Sequence, residues 1–403
     1  MKNYFLSKNM AEPLRHPEEI VADKANRFAF RLSRALAEDS GDENMVCSPY
    51  SVWLPLAALL NATNSWAKPR LLAALSAAGI SEDEINVGVK RILYDLTRQR
   101  EKEYHEETGY PCHETLRIAN LILAGKDVTL KKEFAHILSE CFKGRAMHVD
   151  FSSREAVERI NHWVSETTGG HISDIVSGFA PMTVAAFASA MYFSDRWKWE
   201  LKVDRKKVFY SPSGEEETVF IKRMGDGQIY YEDEKSQTIL LEFLTGGGLY
   251  IILPKEKKAT EFLQTMTNED FIEIRRKSAK TTGTLIMPRF NIESKEIDLT
   301  ATLTAMGMPL FDEDAALLTC GLVEEDIPVW LSTARHKAVI KVDEMGTTAA
   351  AVTFFACPGG IPKKPEPTEP FIMNCNKPFV FVLYGDITCG ERQVLFTGIV
   401  NHP

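Results

Sequence analysis

The sequence predicts an α+β fold, and three features of its residue spacing indicate that class. Apolar residues in the first half recur mostly at helical intervals, whereas the second half consists mainly of short alternating or wholly apolar runs. No regular strand–helix–strand alternation occurs, which argues against a parallel α/β sheet. The sequence contains no internal repeat and no separating linker, so we predict one domain over residues 1–403.

In most of the first half, the apolar residues have helical spacing. An apolar stripe runs through residues 20–37. Ser48 and Pro49 then open a second helix, since Ser is a favoured N-cap and Pro suits the first helical position. Further helices are predicted over residues 69–78, 84–100, 130–141 and 153–167, and the polar stretch 97–114 is predicted to be a solvated connection.

Strand patterns appear first at residues 116–124, which alternate, and dominate from residue 184 onward. Residues 184–193 are almost uncharged, as expected of a strand covered on both faces. Further strands are predicted over residues 218–221, 229–231, 237–243, 249–253, 278–289, 336–343, 379–384 and 394–400, with a helix near 298–306.

Composition excludes several function classes. Hydrophobic residues at 44% and charged residues at 26% are typical of a globular protein. The net charge of −9 argues against a dedicated nucleic-acid binder, because phosphate binding needs a basic surface. No apolar run has the length of a membrane-spanning helix. We therefore expect neither nucleic acid nor a membrane as a partner.

The compartment is not decided by the sequence. The N-terminal residues lack the apolar core of a signal peptide, so the chain acts inside the cell or its leader is absent from this sequence. The 7 cysteines are widely spaced and odd in number. That pattern favours free, mostly buried thiols over a disulfide framework.

Motifs for catalysis or metal binding are weak. His105, Cys112 and His113 lie close together, but their spacing matches no structural zinc site. The three glycines at 246–248 precede a strand and predict a turn, not a phosphate-binding loop. Neither G-x-S-x-G nor HExxH occurs. The residues therefore predict no enzyme, no metal and no cofactor.

Residues 345–353 have an unusual composition. They are Met, Gly, Thr, Thr, Ala, Ala, Ala, Val and Thr, all uncharged and mostly small. A strand can enter the middle of a sheet only if its side chains are of this kind and its N–H groups can pair. An edge strand or an Ala-rich helix would also be compatible with these residues. The proline-rich stretch IPKKPEPTEP that follows at 361–370 predicts an extended, exposed segment.

Eight sequence motifs, one of which includes this segment, are distributed along the chain. They are NMVCSPYSV, INHWVSETTGGHI, MYFSDRWKWEL, FNIESKEIDL, LTAMGMPLFDEDAALL, HKAVIKVDEMGTTAAAV, NKPFVFVLYG and VLFTGIVNHP. In this order and at these separations they resemble the serpin family, and the resemblance covers essentially the whole chain.

The resemblance implies a fold of about nine helices and three mostly antiparallel sheets, with a reactive loop at about residues 344–372. Inhibitory serpins are suicide substrates of serine proteases. The enzyme forms an acyl-enzyme on the loop, and the cut loop inserts into the central sheet and distorts the enzyme, driven by a metastable native fold. The resemblance thus implies a monomeric serine protease inhibitor. The alternative is a non-inhibitory carrier or chaperone on the same fold.

Two groups of residues carry the implied mechanism. The hinge, where insertion starts, comprises Glu344, Met345, Gly346, Thr347, Thr348, Ala349, Ala350 and Ala351. The sheet-opening region comprises Ser48, Ser189 and His336, with Trp197 near the insertion point. Ser189 stands where many members carry Asn, which puts in question the hydrogen bond that the Asn makes to the histidine.

The resemblance also implies a scissile bond. Counting seventeen residues from Glu344 places the cut at Gly360–Ile361. A small residue there suits an elastase- or subtilisin-like enzyme. Lys363 and Lys364 are the alternatives and would suit a trypsin-like enzyme, although a later cut lengthens the inserting segment.

Overall fold

The computed structural model describes residues 16–108, 116–180, 183–199, 201–313, 316–318, 321–347 and 369–403, with side chains omitted at 98–108. Within these residues the chain forms nine α-helices and seventeen strands. The helices are α1 (Pro17–Ser40), α2 (Pro49–Ala58), α3 (Lys68–Ala74), α4 (Glu82–Thr108), α5 (Lys132–Phe142), α6 (Arg154–Thr167), α7 (Ala259–Thr265), α8 (Asn268–Lys277) and α9 (Thr300–Ala305).

The strands fall into two hydrogen-bonded sheets. They are β1 (Met45–Cys47), β2 (Leu116–Gly125), β3 (Gly144–Val149), β4 (Ala185–Phe193), β5 (Asp195–Arg196), β6 (Lys202–Ser211), β7 (Gly214–Glu232), β8 (Ser236–Glu242), β9 (Gly248–Pro254), β10 (Ala279–Pro288), β11 (Phe290–Glu293), β12 (Ile297–Asp298), β13 (Leu331–Val342), β14 (Gly346–Thr347), β15 (Phe371–Asn374), β16 (Phe379–Asp386) and β17 (Arg392–Val400).

The central sheet has the order β3-β2-β4-β13-β14-β5, with β11 and β12 also paired to β13. β4 and β13 run parallel, from Leu331 opposite Ala185 to Ala338 opposite Met191. All nine residues of β4 are buried. Its alternate residues join two separate apolar clusters, one shared with α6 and the other with α2. The expectation of a strand covered on both faces is confirmed.

The second sheet has the order β1-β17-β16-β9-β8-β7-β10-β15, with β6 added to β7. The resemblance implies three sheets, and two of them are joined here because β7 is shared. The first half of β7 pairs with β6 and its last four residues pair with β8, while β10 pairs with β7 from Phe220 to Tyr230. Gly225 and Gly227, both at positive φ, lie where β7 passes from one part to the other.

Several boundaries differ from the sequence predictions. α4 continues to Thr108, so the part of the stretch 97–114 up to that residue is helix and not a solvated connection. The two strands predicted at 218–221 and 229–231 are one strand, β7. β13 begins at Leu331, five residues before the predicted start at 336, and β3, β6, α7 and α8 were not predicted at all.

Two observations concern possible membrane spans and the cysteines. Among the described residues, no helix is both long and apolar enough to cross a membrane. Four cysteines are described and all are free: Cys47 and Cys375 are buried, and Cys141 and Cys389 are partly buried. The other three cysteines lie outside the described residues.

Candidate functional site

The start of the hinge forms a short strand of the central sheet. β14 lies between β13 and β5, with Thr347 opposite both Val342 and Asp195. At this end of the sheet, a two-residue strand therefore occupies the position that a longer inserted strand would extend. Thr348, Ala349, Ala350 and Ala351 lie outside the described residues, as do Gly360, Ile361, Lys363 and Lys364.

A turn at Asp343 directs the chain from β13 into β14. The Asp343 carboxylate accepts hydrogen bonds from the backbone N–H of Met345 at 2.9 Å and of Gly346 at 3.3 Å. The Asp343 N–H donates to the Gly346 carbonyl at 3.0 Å. A carboxylate that accepts from the backbone two and three residues ahead stabilises a tight reversal. Sequence analysis did not identify Asp343 as part of the site.

Trp197 holds this turn in place. Its indole N–H donates to the Asp343 carbonyl at 2.8 Å, and its backbone N–H donates to the Met345 carbonyl at 3.1 Å. The ring stacks on Phe243 with a centroid distance of 5.0 Å. The structure thus places Trp197 in direct contact with the hinge.

Gly346 and Thr347 fit the narrow space beside β5. A Cβ added to Gly346 would lie 2.1 Å from the Asp195 carbonyl oxygen, a distance that no side chain tolerates. Thr347 is 1% exposed, and its hydroxyl accepts from the Asp195 N–H at 3.0 Å. Small size at 346 and an uncharged side chain at 347 are therefore required by this packing.

Glu344 anchors the first hinge residue through an ion pair with Arg289, which lies between β10 and β11. The pair borders a cavity of about 360 Å³ whose wall also contains Lys341 and Asn291. The cavity wall thus contains two cationic side chains, and one of them, Arg289, is paired with Glu344. Arg289 was not predicted as a site residue, because its contact with Glu344 joins positions 55 residues apart.

The sheet-opening region is held together at His336. Its Nε2 accepts a hydrogen bond from the Ser48 N–H at 3.1 Å. Its Nδ1 lies 3.1 Å from the Ser189 carbonyl and 3.3 Å from the Ser189 hydroxyl. Since a carbonyl can only accept, Nδ1 carries the proton and the ring is neutral. Burial lowers the pKa of His336 to about 4, although the Ser189 carbonyl acts in the opposite direction.

Ser189 therefore contacts His336 although it stands where many members carry Asn. Its backbone carbonyl accepts from His336 Nδ1, and its hydroxyl also lies within hydrogen-bonding distance of that nitrogen. The Ser48 hydroxyl lies 3.2 Å from the Met191 sulfur and does not cap α2. Ser48, Ser189 and His336 thus join α2, β4 and β13 at one point. β4 and β13 are adjacent parallel strands of the central sheet, and α2 packs against it.

Asn120 is a further buried polar residue, on the neighbouring strand β2. It lies opposite Ser189 in the β2–β4 register, and Ser189 lies beside His336 in the β4–β13 register. The Asn120 side chain is fully buried, and its amide has no hydrogen-bond partner among the described residues. The sequence signal for it was a polar residue in the otherwise apolar run at 118–124.

None of these groups forms a catalytic arrangement. His336 is buried, and both of its nitrogens are engaged with Ser48 and Ser189. The described residues contain no cluster of three or more potential metal ligands. The hydrogen bonds instead join strands and a helix to each other and join the hinge to the sheet. The fold and the site define a class of protein in which a two-residue strand, Gly346–Thr347, lies at one end of the central sheet between β13 and β5.

The Serpin (serine protease inhibitor) family model matches residues 23–403. The chain belongs to the serpin family. An uncharacterized serpin-like protein of Thermococcus kodakarensis is 28% identical over 397 residues, which cover 96% of this chain and 86% of the relative. Alpha-1-antitrypsin of Meriones unguiculatus is 29% identical over 398 residues, covering 96% and 91%.

Solved structures show the same fold. Human thyroxine-binding globulin complexed with thyroxine matches with a TM-score of 0.80 and 22% identity, over 96% of this chain and 100% of that one. The serpin family consists mostly of protease inhibitors and not of catalysts. The expected serpin fold is confirmed.

Proposed function

We propose that this protein inhibits a serine protease as a suicide substrate, by inserting its cleaved reactive loop into the central sheet between β4 and β13. One observation carries the proposal: Gly346 and Thr347 already pair as a strand between β13 and β5. The residues that follow, through Thr353, are uncharged and mostly small, as a buried central strand requires.

The packing of the hinge agrees with this mechanism. Thr347 is buried and uncharged. In an extended strand, Ala349 and Ala351 would be the next residues on the same face of the sheet as Thr347. Insertion of about fifteen residues would move an attached protease by roughly 50 Å. We place the scissile bond at Gly360–Ile361 and the target among elastase- or subtilisin-like enzymes, with a trypsin-like enzyme acting at Lys363 or Lys364 as the alternative.

The test is incubation with pancreatic elastase, subtilisin, trypsin and chymotrypsin, followed by electrophoresis in SDS. An inhibitor gives a complex that survives denaturation and contains both chains, and mass spectrometry of the released fragment identifies the scissile bond. Cleavage by all four enzymes without any such complex would contradict inhibition and leave the carrier or chaperone alternative.

Thr347→Arg is the diagnostic variant. A charge on the inserting face blocks insertion, so this variant is expected to be cleaved at an unchanged rate but to form little complex. Because Thr347 is buried in the intact protein, the variant could fail to fold. Ala349→Arg, two positions further along, carries the same test. A complex yield equal to that of the unaltered protein in both variants would argue against insertion.

A further inference from the structure

We infer that the carboxyl end of α6 is held on the central sheet by a proton-sensitive contact, and that acidification releases it and speeds insertion of the cleaved loop. We call this contact the α6 latch. It consists of Arg117, Gly169, His171 and Tyr192. The second part of the inference rests on the proposed function, whereas the first part does not.

α6 covers the part of the central sheet where the loop would insert. Its buried residues Ala156, Ile160 and Val164 share one apolar cluster with residues of β2 and β4. Val339 of β13 packs against the same cluster. A new strand between β4 and β13 would move these two strands apart by about 4.8 Å. The cluster under α6 therefore has to rearrange during insertion, and contacts that hold α6 down oppose it.

Two hydrogen bonds close the carboxyl end of α6. The Gly170 N–H donates to the Ser165 carbonyl at 2.7 Å. The Ile172 N–H donates to the Thr168 hydroxyl at 3.2 Å. His171 lies between these two donors in the chain, so its contact with the sheet and the order of the helix end are coupled.

The imidazole of His171 lies flat on the ring of Tyr192, near the end of β4. The ring centroids are 3.8 Å apart and the ring planes differ by 6°. Tyr192 is 6% exposed, so its ring is a fixed part of the sheet surface. Aromatic stacking adds to the burial of both rings and holds this end of α6 on the sheet.

Arg117 brings a positive charge to this contact. It lies opposite Tyr192 in the β2–β4 register, on the face whose alternate residues Ala119 and Ala190 belong to the cluster under α6. A Cβ added to Gly169 would lie 2.5 Å from a guanidinium nitrogen of Arg117, so the guanidinium packs against the helix end. The carbonyl end of a helix favours a cation, and Arg117 already supplies one.

A second positive charge at His171 is disfavoured in the docked state. Burial, followed by the charge of Arg117, lowers the pKa of His171 from its ordinary value of 6.5. The face of the Tyr192 ring would attract an imidazolium, but these two effects act against it and prevail.

The carboxylates next to His171 in the chain are engaged elsewhere. Glu166 lies 3.4 Å from His162, one turn before it on α6. Asp174 accepts a hydrogen bond from the Ser173 hydroxyl at 2.8 Å. Of the elements packed against His171, β2 thus contributes a cation and β4 a neutral ring.

The direction of the pH effect follows from this difference between states. The pKa of His171 is lowered while α6 is docked and returns to its ordinary value when α6 is released. The stack therefore contributes to docking above about pH 6.5, and this contribution is lost as the pH falls through the lowered pKa. Acidification shifts the α6 latch toward release.

Hydrogen exchange at the Gly170 amide measures this release. Dividing the intrinsic exchange rate at each pH by the observed rate gives a protection factor that reports the opening equilibrium. We expect protection at Gly170 to fall about threefold or more between pH 7.5 and pH 5.5, relative to His171→Phe. The phenylalanine ring can stack on Tyr192 but binds no proton, and every other titrating group is shared by the two proteins.

Three further variants sharpen the assignment. His162→Gln is the matched control, because this histidine is 73% exposed on the same helix, and it should keep the full pH dependence. Arg117→Gln removes the neighbouring cation and should reduce the pH dependence. His171→Gln lacks both the ring and the proton, so it should be less protected than the unaltered protein at pH 7.5 and should show no extra loss at pH 5.5.

The link to insertion is measured with subtilisin. The ratio of SDS-stable complex to cleaved, uncomplexed protein is determined at both pH values for the unaltered protein and for His171→Phe. Dividing one ratio by the other removes the pH dependence of the protease. We expect this quotient to be about twofold higher at pH 5.5, because faster insertion competes better with hydrolysis of the acyl bond.

An equal loss of Gly170 protection in the unaltered protein and in His171→Phe would overturn the α6 latch. A pH-dependent latch with an unchanged quotient would overturn its role in insertion. Absence of any SDS-stable complex at both pH values would contradict the proposed function and, with it, the second part of the inference. The exchange measurement would still decide the first part.

Discussion

His336 is a neutral histidine locked between α2, β4 and β13. Its pKa is about 4 in the folded protein, because burial removes water from the ring, against 6.5 for an ordinary histidine. The unfolded chain therefore binds a proton at this position that the folded protein does not. The stabilisation present above about pH 6.5 is lost as the pH falls toward 4 and does not change further below that.

We expect the free energy of unfolding to decrease by up to about 3 kcal/mol across this window, from this residue alone. Denaturant unfolding between pH 7 and 4 measures it. His336→Gln, whose amide can accept from Ser48 and donate to the Ser189 carbonyl, should flatten the pH dependence. His162→Gln, at a side chain that is 73% exposed, is the control and should leave it unaltered. Equal slopes in all three proteins would refute the assignment.

The Arg289–Glu344 ion pair is the residue-level anchor of the hinge. Its side chains are 38% and 24% exposed, so solvent screens the attraction and its contribution is about 1 kcal/mol or less. Arg289→Glu should lower the midpoint of urea unfolding, because it places two carboxylates together. Adding Glu344→Arg reverses the pair and should recover most of the loss. A double variant as unstable as the sum of its two single variants would show that the pair is not coupled.

At the level of elements, β14 depends on the absence of a side chain at Gly346. Gly346→Ala places a methyl group against the Asp195 carbonyl and should detach β14 from β5, at a cost of about 1–3 kcal/mol. Hydrogen exchange should then become faster at the Trp197 amide, which donates to Met345. Gly178→Ala is the matched control, since a Cβ there meets nothing within 4 Å. Unchanged protection at Trp197 would mean that β14 tolerates the methyl group.

Elements with a strong local signal were predictable. The almost uncharged run at 184–193 became β4, and the Ser-Pro start at 48–49 became α2. β7 was split in two because Gly225 and Gly227 resemble turn residues, yet β10 pairs with β7 on both sides of a register shift there, so the strand continues. β6 was missed because its lysines and arginines face solvent, and tertiary pairing overrides that composition.

Site residues were predictable from the sequence only where they lie in a motif of the family. Ser48, Ser189, His336 and Trp197 came from the family resemblance, and the structure brings the first three into contact and Trp197 to the hinge. Asp343 and Arg289 contribute through a turn and a long-range ion pair. No local pattern in the sequence distinguishes them from the other charged residues of the chain.

For the whole molecule, the polar contacts lie along the route that an inserted strand would follow. The hinge contacts occupy the end of the central sheet where β14 enters, and the Asn120–Ser189–His336 row crosses the sheet between β2 and β13. Under the proposed function, an inserted loop would pair with both β4 and β13, replacing one set of strand hydrogen bonds by two. We therefore expect the sheet with the inserted strand to be the state of lower free energy.

Cleavage of the loop should thus stabilise the whole molecule. We expect the protein cut by subtilisin within the loop to melt at least about 10 °C above the intact protein, because a new central strand adds backbone pairing and buries side chains on both faces. Calorimetry before and after cleavage measures the difference. Ala349→Arg, cut in the same way, should show little rise, since its charge cannot be buried at the sheet centre. An unaltered protein whose melting temperature stays the same after cleavage would show that the loop does not insert. The carrier alternative would then be the better account of this serpin.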